Sequence, residues 1–423
     1  KRRKILAQRS QERKRELEAE GNKVSLDKRV VNMPVKKIAF VCPRFPDGTV
    51  VGGAETLIKN IAIKTAQAGI EVTYLTTCAK NHFTWKNEIP EGIKKTEGIE
   101  VRFFPVNEDR DIESFLSAQE SISRGKKVSE EEEKIWLDNN VNSRALCRHL
   151  EEEGKRYDAV VAGPYLFGLI YHAVMTVPDR AFIIPCLHDE PFAYLNVFKK
   201  MFNSARGIIF NTEPEENLAL SIFNINPSIT SVVGMGLDDF HVKNPFTLPD
   251  NKPYIIYSGR REIMKGSSLL IDYFSTYRER TGRDLQLVLT GSGEITPDIE
   301  TAPHVKDMGF VTEEKKHELM SGAIAFCHPS INESLGIVLL ESWLAGTPAL
   351  VHAQSEVLVH QCSKSRGGLW FATYPEFEEE LSLLMNNTEL RSQMAKNGRN
   401  YVLSEYSWKN ILPKFMDAVE KQT

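Results

Sequence analysis

One stretch constrains the fold of this chain more than any other. Residues 323–327 form a short, wholly apolar run that reads as a buried strand. A turn carrying Glu333 follows within the run Asn332-Glu333-Ser334-Leu335-Gly336. A helical pattern carrying Glu341 comes next and stops at Gly346, with Pro348 just beyond it. A strand apolar on both faces, turning directly into a helix, is a unit of a parallel sheet covered by helices on both sides.

The same unit recurs along the chain. Residues 37–42 open as a buried strand, a loop with two prolines and three glycines follows, and a helix begins near Ala54 and stops near Gly69. Further strands read at 71–76, 99–104, 159–162, 181–185, 207–210 and 230–233, with helical patterns between most of them, notably over 130–153 and 191–203. Residues 238–252 carry Pro245 and Pro249 and no periodicity, which marks a linker. A strand over 253–257 starts a second series, continued by a strand over 285–290 that ends in Gly291-Ser292-Gly293. After residues 304–311, Thr312 reads as the cap of a helix over 313–320, and helices over 375–386, 388–404 and 408–419 close the chain. The expected architecture is α/β: two Rossmann-like doubly wound parallel-sheet domains at 34–240 and 253–405, joined by a linker at 241–252. A charged arm at 1–33 precedes them and a terminal helix at 406–423 follows.

Composition narrows the function. The 423 residues suffice for two or three domains with their own cores. A formal net charge of −4 gives no global attraction to nucleic acid. The six cysteines lie far apart, without a Cys-x-x-Cys pair, and read as reduced core residues of a cytoplasmic protein rather than zinc ligands or disulfides. No run approaches about 18 uninterrupted apolar residues, so no transmembrane helix is expected. The arm is polar and of mixed charge; it reads as a linker, a leader or a basic segment touching anionic lipid at the inner face of a membrane or a partner protein.

The chemistry-bearing residues cluster at the predicted ends of strands in the second half. The amides of Ser334, Leu335, Gly336 and Ile337 would sit at a helix N-terminus, which attracts anions. Glu341 would lie roughly 6–9 Å further along, at 1.5 Å per residue, in reach of a ribose attached to a bound phosphate. Between the strand at 253–257 and the next helix stand Arg260 and Lys265, a planar fork and a point charge suited to phosphate oxygens. Gly291 and Gly293 suit close approach of a nucleotide. In the first half, His188 follows the strand at 181–185, where open α/β sheets bind ligands. The aromatic loop of His82, Phe83, Thr84 and Trp85 suits sugar stacking or packing at the domain edge. Neither a dinucleotide fingerprint nor a P-loop is present.

Two glutamates separated by seven residues, with Ser-Leu-Gly behind the first, resemble the signature of the family 4 retaining glycosyltransferases, and the order of the other sites is similar over roughly residues 37 to 420. The resemblance implies the GT-B fold, two domains facing across a cleft, the first on the acceptor side and the second binding the nucleotide-sugar. It implies that Glu333 contacts the donor sugar, that Arg260, Lys265 and the helix tip hold the diphosphate, and that Glu341 holds the ribose. It also implies that Gly53, in Gly-Gly-x-Glu, faces the donor phosphate, that His188 contacts donor or acceptor, and that Val311, with Glu313 and Lys316 after it, borders the base. The reaction implied is transfer of a hexose from a UDP-, GDP- or ADP-sugar to a glycan or lipid-linked acceptor hydroxyl, with retention. No metal or other cofactor is required, and bacterial polysaccharide or glycoconjugate synthesis is the setting. Two alternatives stay open: another enzyme of this fold, such as an epimerase or a phosphorylase, and a silent sugar-nucleotide-binding scaffold subunit.

Overall fold

The computed structural model describes residues 35–46, 52–261, 265–293 and 304–423. The charged arm, part of the turn carrying Arg260 and Lys265, and the segment just after Gly293 lie outside the described residues. Two sheets organise the chain. The first has eight strands in the order β3-β4-β2-β1-β5-β6-β7-β8: β1 Lys37–Val41, β2 Glu71–Thr77, β3 Gly92–Thr96, β4 Ile99–Phe104, β5 Ala159–Ala162, β6 Ala181–Ile183, β7 Gly207–Phe210 and β8 Thr230–Val232. The second has six, in the order β11-β10-β9-β12-β13-β14: β9 Tyr254–Ser258, β10 Gln286–Thr290, β11 Val305–Asp307, β12 Phe326–His328, β13 Ala349–His352 and β14 Gly368–Phe371.

All pairings are parallel except β3 with β4. The central strands β1, β5 and β9 are buried almost throughout, because helices cover both faces of each sheet. Strand β3 was not expected. Its sequence, Gly-Ile-Lys-Lys-Thr, is exposed at nearly every position, so it lacks the apolar signal of the others; its lysines suit an uncovered sheet edge.

Two expected helices are interrupted. The pattern over 130–153 divides into helices Glu130–Asn139 and Arg144–Glu153, because Asn140 leaves the helical region and Ser143 caps the second helix through Leu146 N. The pattern over 191–203 divides into a 3-10 turn, Pro191–Tyr194, and the helix Asn196–Ser204.

The last helix, Trp408–Glu420, returns to the first sheet. Phe415 stacks on Phe40 of β1 at 6.0 Å between ring centroids. Arg206 bonds the carbonyls of Gln422 and Thr423, and Gln422 Nε2 donates to Ser228 O at 2.7 Å. One apolar cluster runs from Phe40 and Ile58 through Phe415 to Leu339 and Trp343, so the two domains and the terminal helix share a core. This packing brings the carboxyl ends of β1, β6, β9 and β12 to one cleft. No helix among the described residues is long and apolar enough to cross a membrane.

Candidate active site

The cleft holds a cavity of about 1380 Å³ lined from both domains. The second domain contributes Arg260, Lys265, Lys316, Glu333, Ser334, Leu335, Gly336, Ile337 and Glu341; the first contributes Gly53 and His188. Residues scattered over nearly three hundred positions therefore share one space.

Its centre is an ion pair. Lys265 Nζ lies 2.6 Å from Glu333 Oε1 and 3.2 Å from Asn332 O. His328, at the end of β12, brings Nε2 to 3.2 Å from the same Oε1. Burial alone would raise the Glu333 carboxyl, but the Lys265 ammonium and the His328 contact outweigh it and hold it well below the usual carboxylate range. Glu333 is thus a fixed anion whose two contacts both fall on Oε1. His328 was missed in the sequence because nothing marks it beyond its place at a strand end.

The following helix, Ile337–Leu344, begins later than expected. Its N-cap is Gly336, at φ 79°, with no side-chain cap, and Leu340 N is the first amide to close back on Gly336 O, at 3.1 Å. A Cβ on Gly336 would fall 2.8 Å from Leu358 Cδ2, so glycine is needed for both the turn and the space. The amides of Ile337, Val338 and Leu339 are therefore the ones an α-helix leaves without an intrahelical acceptor. Ser334 and Leu335 precede the tip and serve the domain contact: Thr212 Oγ1 donates to Ser334 O at 3.1 Å.

One turn further along, Glu341 meets Lys316 Nζ at 2.8 Å, and Glu313 meets the same nitrogen at 2.6 Å. Burial works against the Lys316 ammonium, yet Glu341 and Glu313 more than offset it and raise its pKa. Glu313, His317 and Glu341 bring one potential metal-ligand atom each within 4.8 Å of the others. Lys316 pairs with both carboxylates and offsets one of their two charges.

Of the two adjacent arginines, only Arg260 lines the cavity. Arg261 turns away, its guanidinium bound to Asp307 and to Gly293 O. Gly291, Gly293 and Val311 do not line it either. A Cβ on Gly291 would lie 2.0 Å from Gly259 O, so that glycine allows two loops of the second domain to touch; Gly293 uses its carbonyl on Arg261, and Val311 packs on the core.

Across the cleft, His188 stands at the end of the segment after β6. Burial and the facing Lys265 push its imidazole down to about 4, with Glu333 pulling the other way, so it is neutral near pH 7. Beside it, Tyr165 donates to Glu190 Oε1 at 2.6 Å. Gly53 opens the helix Gly53–Gln67 against the second domain; a Cβ there would sit 3.6 Å from Ile337 Cδ1. Two residues on, Glu55 takes both Arg44 Nε and Nη2, at 2.7 and 2.6 Å, and the Gly52 amide at 3.0 Å. This buried fork holds the Gly52 amide at the start of the helix, and no local pattern marks Arg44.

This arrangement can be set beside known proteins. Residues 239–401 match the model of the family described as Glycosyl transferases group 1. The Anabaena protein HepE, solved in complex with UDP and glucose, superposes with a TM-score of 0.64 at 14% identity, covering 91% of this chain and 99% of that one. The fold is GT-B. Among curated relatives, an uncharacterized glycosyltransferase of Methanocaldococcus jannaschii is 27% identical over 217 residues, 48% of this chain and 53% of that protein. The alpha-D-kanosaminyltransferase of Streptomyces kanamyceticus is 30% identical over 167 residues, 37% of this chain and 43% of that one. The match spans about half the length of these relatives. In this GT-B chain the second domain carries nearly all of the family match, and both domains contribute charged residues to the cavity.

Proposed function

We propose that this protein is a retaining glycosyltransferase that moves a hexose from a nucleotide-diphosphate sugar to an acceptor hydroxyl. The observation that carries the reading is the convergence, in one cavity, of Lys265, Arg260, the fixed carboxylate Glu333 and an open helix tip, with neutral His188 opposite. The family match over the second domain, the named activities of the curated relatives and the UDP bound by a structural neighbour support it.

In the proposed reaction the bond from the anomeric carbon to the diphosphate oxygen breaks and its electron pair stays on the diphosphate. Lys265, Arg260 and the amides of Ile337–Leu339 would offset that charge as it develops, which is where electrostatic catalysis is most effective. The acceptor oxygen bonds to the anomeric carbon on the same face, and its proton passes to the leaving phosphate. Glu333, anchored through Oε1, would hold donor-sugar hydroxyls with Oε2. Glu341, oriented by Lys316, would accept from the ribose. Side-chain cations take the place a metal would otherwise fill. Closure of the two domains excludes water and limits hydrolysis. Synthesis of a bacterial polysaccharide or glycoconjugate is the setting that suits this chemistry.

The test is release of free nucleotide from UDP-, GDP- and ADP-sugars with and without an acceptor panel. Acceptor-dependent release is expected. Phosphate-dependent sugar release would indicate a phosphorylase, altered sugar with no transfer an epimerase, and binding without turnover a scaffold.

A further inference from the structure

The cavity has two unlike walls. The second domain presents the charged groups described above. The first presents its own charged groups, Lys86, Arg110 and Glu190 among them, and beside them an apolar surface that the donor does not need. On the helix Ile112–Ser123, Ile112, Phe115, Leu116 and Gln119 recur at i, i+3, i+4 and i+7 and all line the cavity. Phe83 and Trp85 from the loop after β2, and Phe167 from the segment after β5, continue the same wall. Ring contacts hold two of these: Phe115 stacks on buried Trp136 at 6.3 Å, and Phe167 meets its neighbour in the wall, Trp85, edge-on at 5.3 Å.

The front of this wall is wet. Phe83 is 81% exposed, Leu116 57% and Ile112 47%, although most large apolar side chains of the domain are buried. Single exposed apolar residues are unremarkable, but a contiguous set lining a ligand cavity marks a binding surface. A free sugar or sugar phosphate in the acceptor place would leave these side chains in water. An acceptor with an apolar portion would cover them while its hydroxyl end reached His188 and Glu190 in the same wall.

We infer that the acceptor is an amphiphile: a hydroxyl-bearing head seated near His188 and Glu190, and an alkyl or similarly apolar tail lying along Ile112, Leu116 and Phe83. This rests on the sugar-transfer reading for the meaning of "acceptor", but the tail site stands on the apolar wall alone. It also accounts for the exposure of Ile112 and Leu116 on a helix whose Ala118 and Ile122 are buried. One molecule, not a membrane plane, is the occupant, because the stripe faces into a cleft continuous with the charged wall.

The test uses the whole protein and a series of n-alkyl β-D-glucosides (methyl, hexyl, octyl) titrated calorimetrically below their micelle concentrations, alongside UDP, GDP and ADP. Full burial would tighten binding about fourfold per methylene and partial burial about twofold, so octyl glucoside is expected to bind more than tenfold tighter than methyl. The double change Ile112→Asp with Leu116→Asp, at exposed positions the fold does not need, is expected to abolish that gain and leave nucleotide affinity unchanged. Equal affinity across the series, or a gain that survives the double change, would overturn the inference. So would binding to phosphatidylcholine vesicles without binding of the monomeric glucosides, which would identify a membrane contact instead. If no nucleotide bound while the chain-length gain remained, the sugar-transfer reading would fall and the apolar site would stand.

Discussion

Lys265 Nζ and Glu333 Oε1 meet at 2.6 Å although 68 positions separate them in the chain. Their side chains are 22% and 14% exposed. A pair this withdrawn from water is costly to break, because the surviving charge keeps its desolvation without its partner; full burial would cost about 3–5 kcal/mol, and the residual exposure lowers that to about 1–3 kcal/mol. Lys265→Met and Glu333→Gln are each expected to lower Tm and to reduce turnover at least a hundredfold. The double variant is expected to be less destabilised than the sum of the two. A double-mutant cycle by denaturant unfolding checks this, and a coupling near zero would mean the pair is not an energetic unit.

Burial first, and then the same ammonium, depresses the His188 imidazole. In the fold this imidazole takes its proton only near pH 4, against 6.5 for the ordinary side chain. Between those values the unfolded chain binds more protons than the folded one, so His188 makes the fold less stable as pH falls from about 6.5 towards 4 and adds no slope above 6.5. Lys265→Met removes one of the two depressing causes and leaves the Glu333 charge less compensated. The His188 midpoint, followed by NMR of the ring protons, is expected to rise clearly; an unchanged midpoint would mean that Lys265 and His188 do not face each other.

Glu341 and Lys316 form the other polar end of the cavity, 2.8 Å apart. Removing the carboxylate with Glu341→Ala is expected to weaken nucleotide binding about tenfold, the scale of one or two lost hydrogen bonds to a charged group. Lys316→Met is expected to weaken it by a similar factor by releasing Glu341. Because Lys316 already stands between Glu341 and Glu313, chelation with EDTA is expected to leave transfer unchanged; a rate restored only by added divalent ion would contradict that. Calorimetry and the release assay measure the two effects separately.

Arg44 and Glu55 are a stability matter first. Their forked bond is buried and also holds the Gly52 amide. Arg44→Ala is expected to cost about 3 kcal/mol by leaving a buried carboxylate. Arg44→Lys, which cannot reproduce the fork, is expected to recover only part of it. Chemical denaturation gives the values, and a loss under about 0.5 kcal/mol for Arg44→Ala would remove the structural role.

The parts of this site carried by local pattern were legible in the sequence. The turn and helix from Glu333 to Glu341 are such a part, since a short apolar strand and a helical period are signals contained within a few residues. So is the terminal helix, read over 408–419 from its own residues. What depended on distant partners was not legible. Gly291 and Gly293 look like ligand glycines by sequence, yet they allow backbone contact with the loop of Gly259 and Arg261. The choice between Arg260 and Arg261 turns on Asp307, far along the chain. His328 and Arg44 matter through Glu333 and Glu55, and no local pattern pairs them. Strand β3 escaped notice because an exposed edge strand has no apolar alternation to read.

The most direct test is calorimetric titration of the whole chain with UDP, GDP and ADP, repeated for Lys265→Met and Glu341→Ala. At least one diphosphate is expected to bind one-to-one, and both substitutions to weaken it tenfold or more. If none of the three bound the unaltered protein, or if binding were indifferent to both substitutions, the cavity would not be a nucleotide-diphosphate site and the sugar-transfer reading would fail.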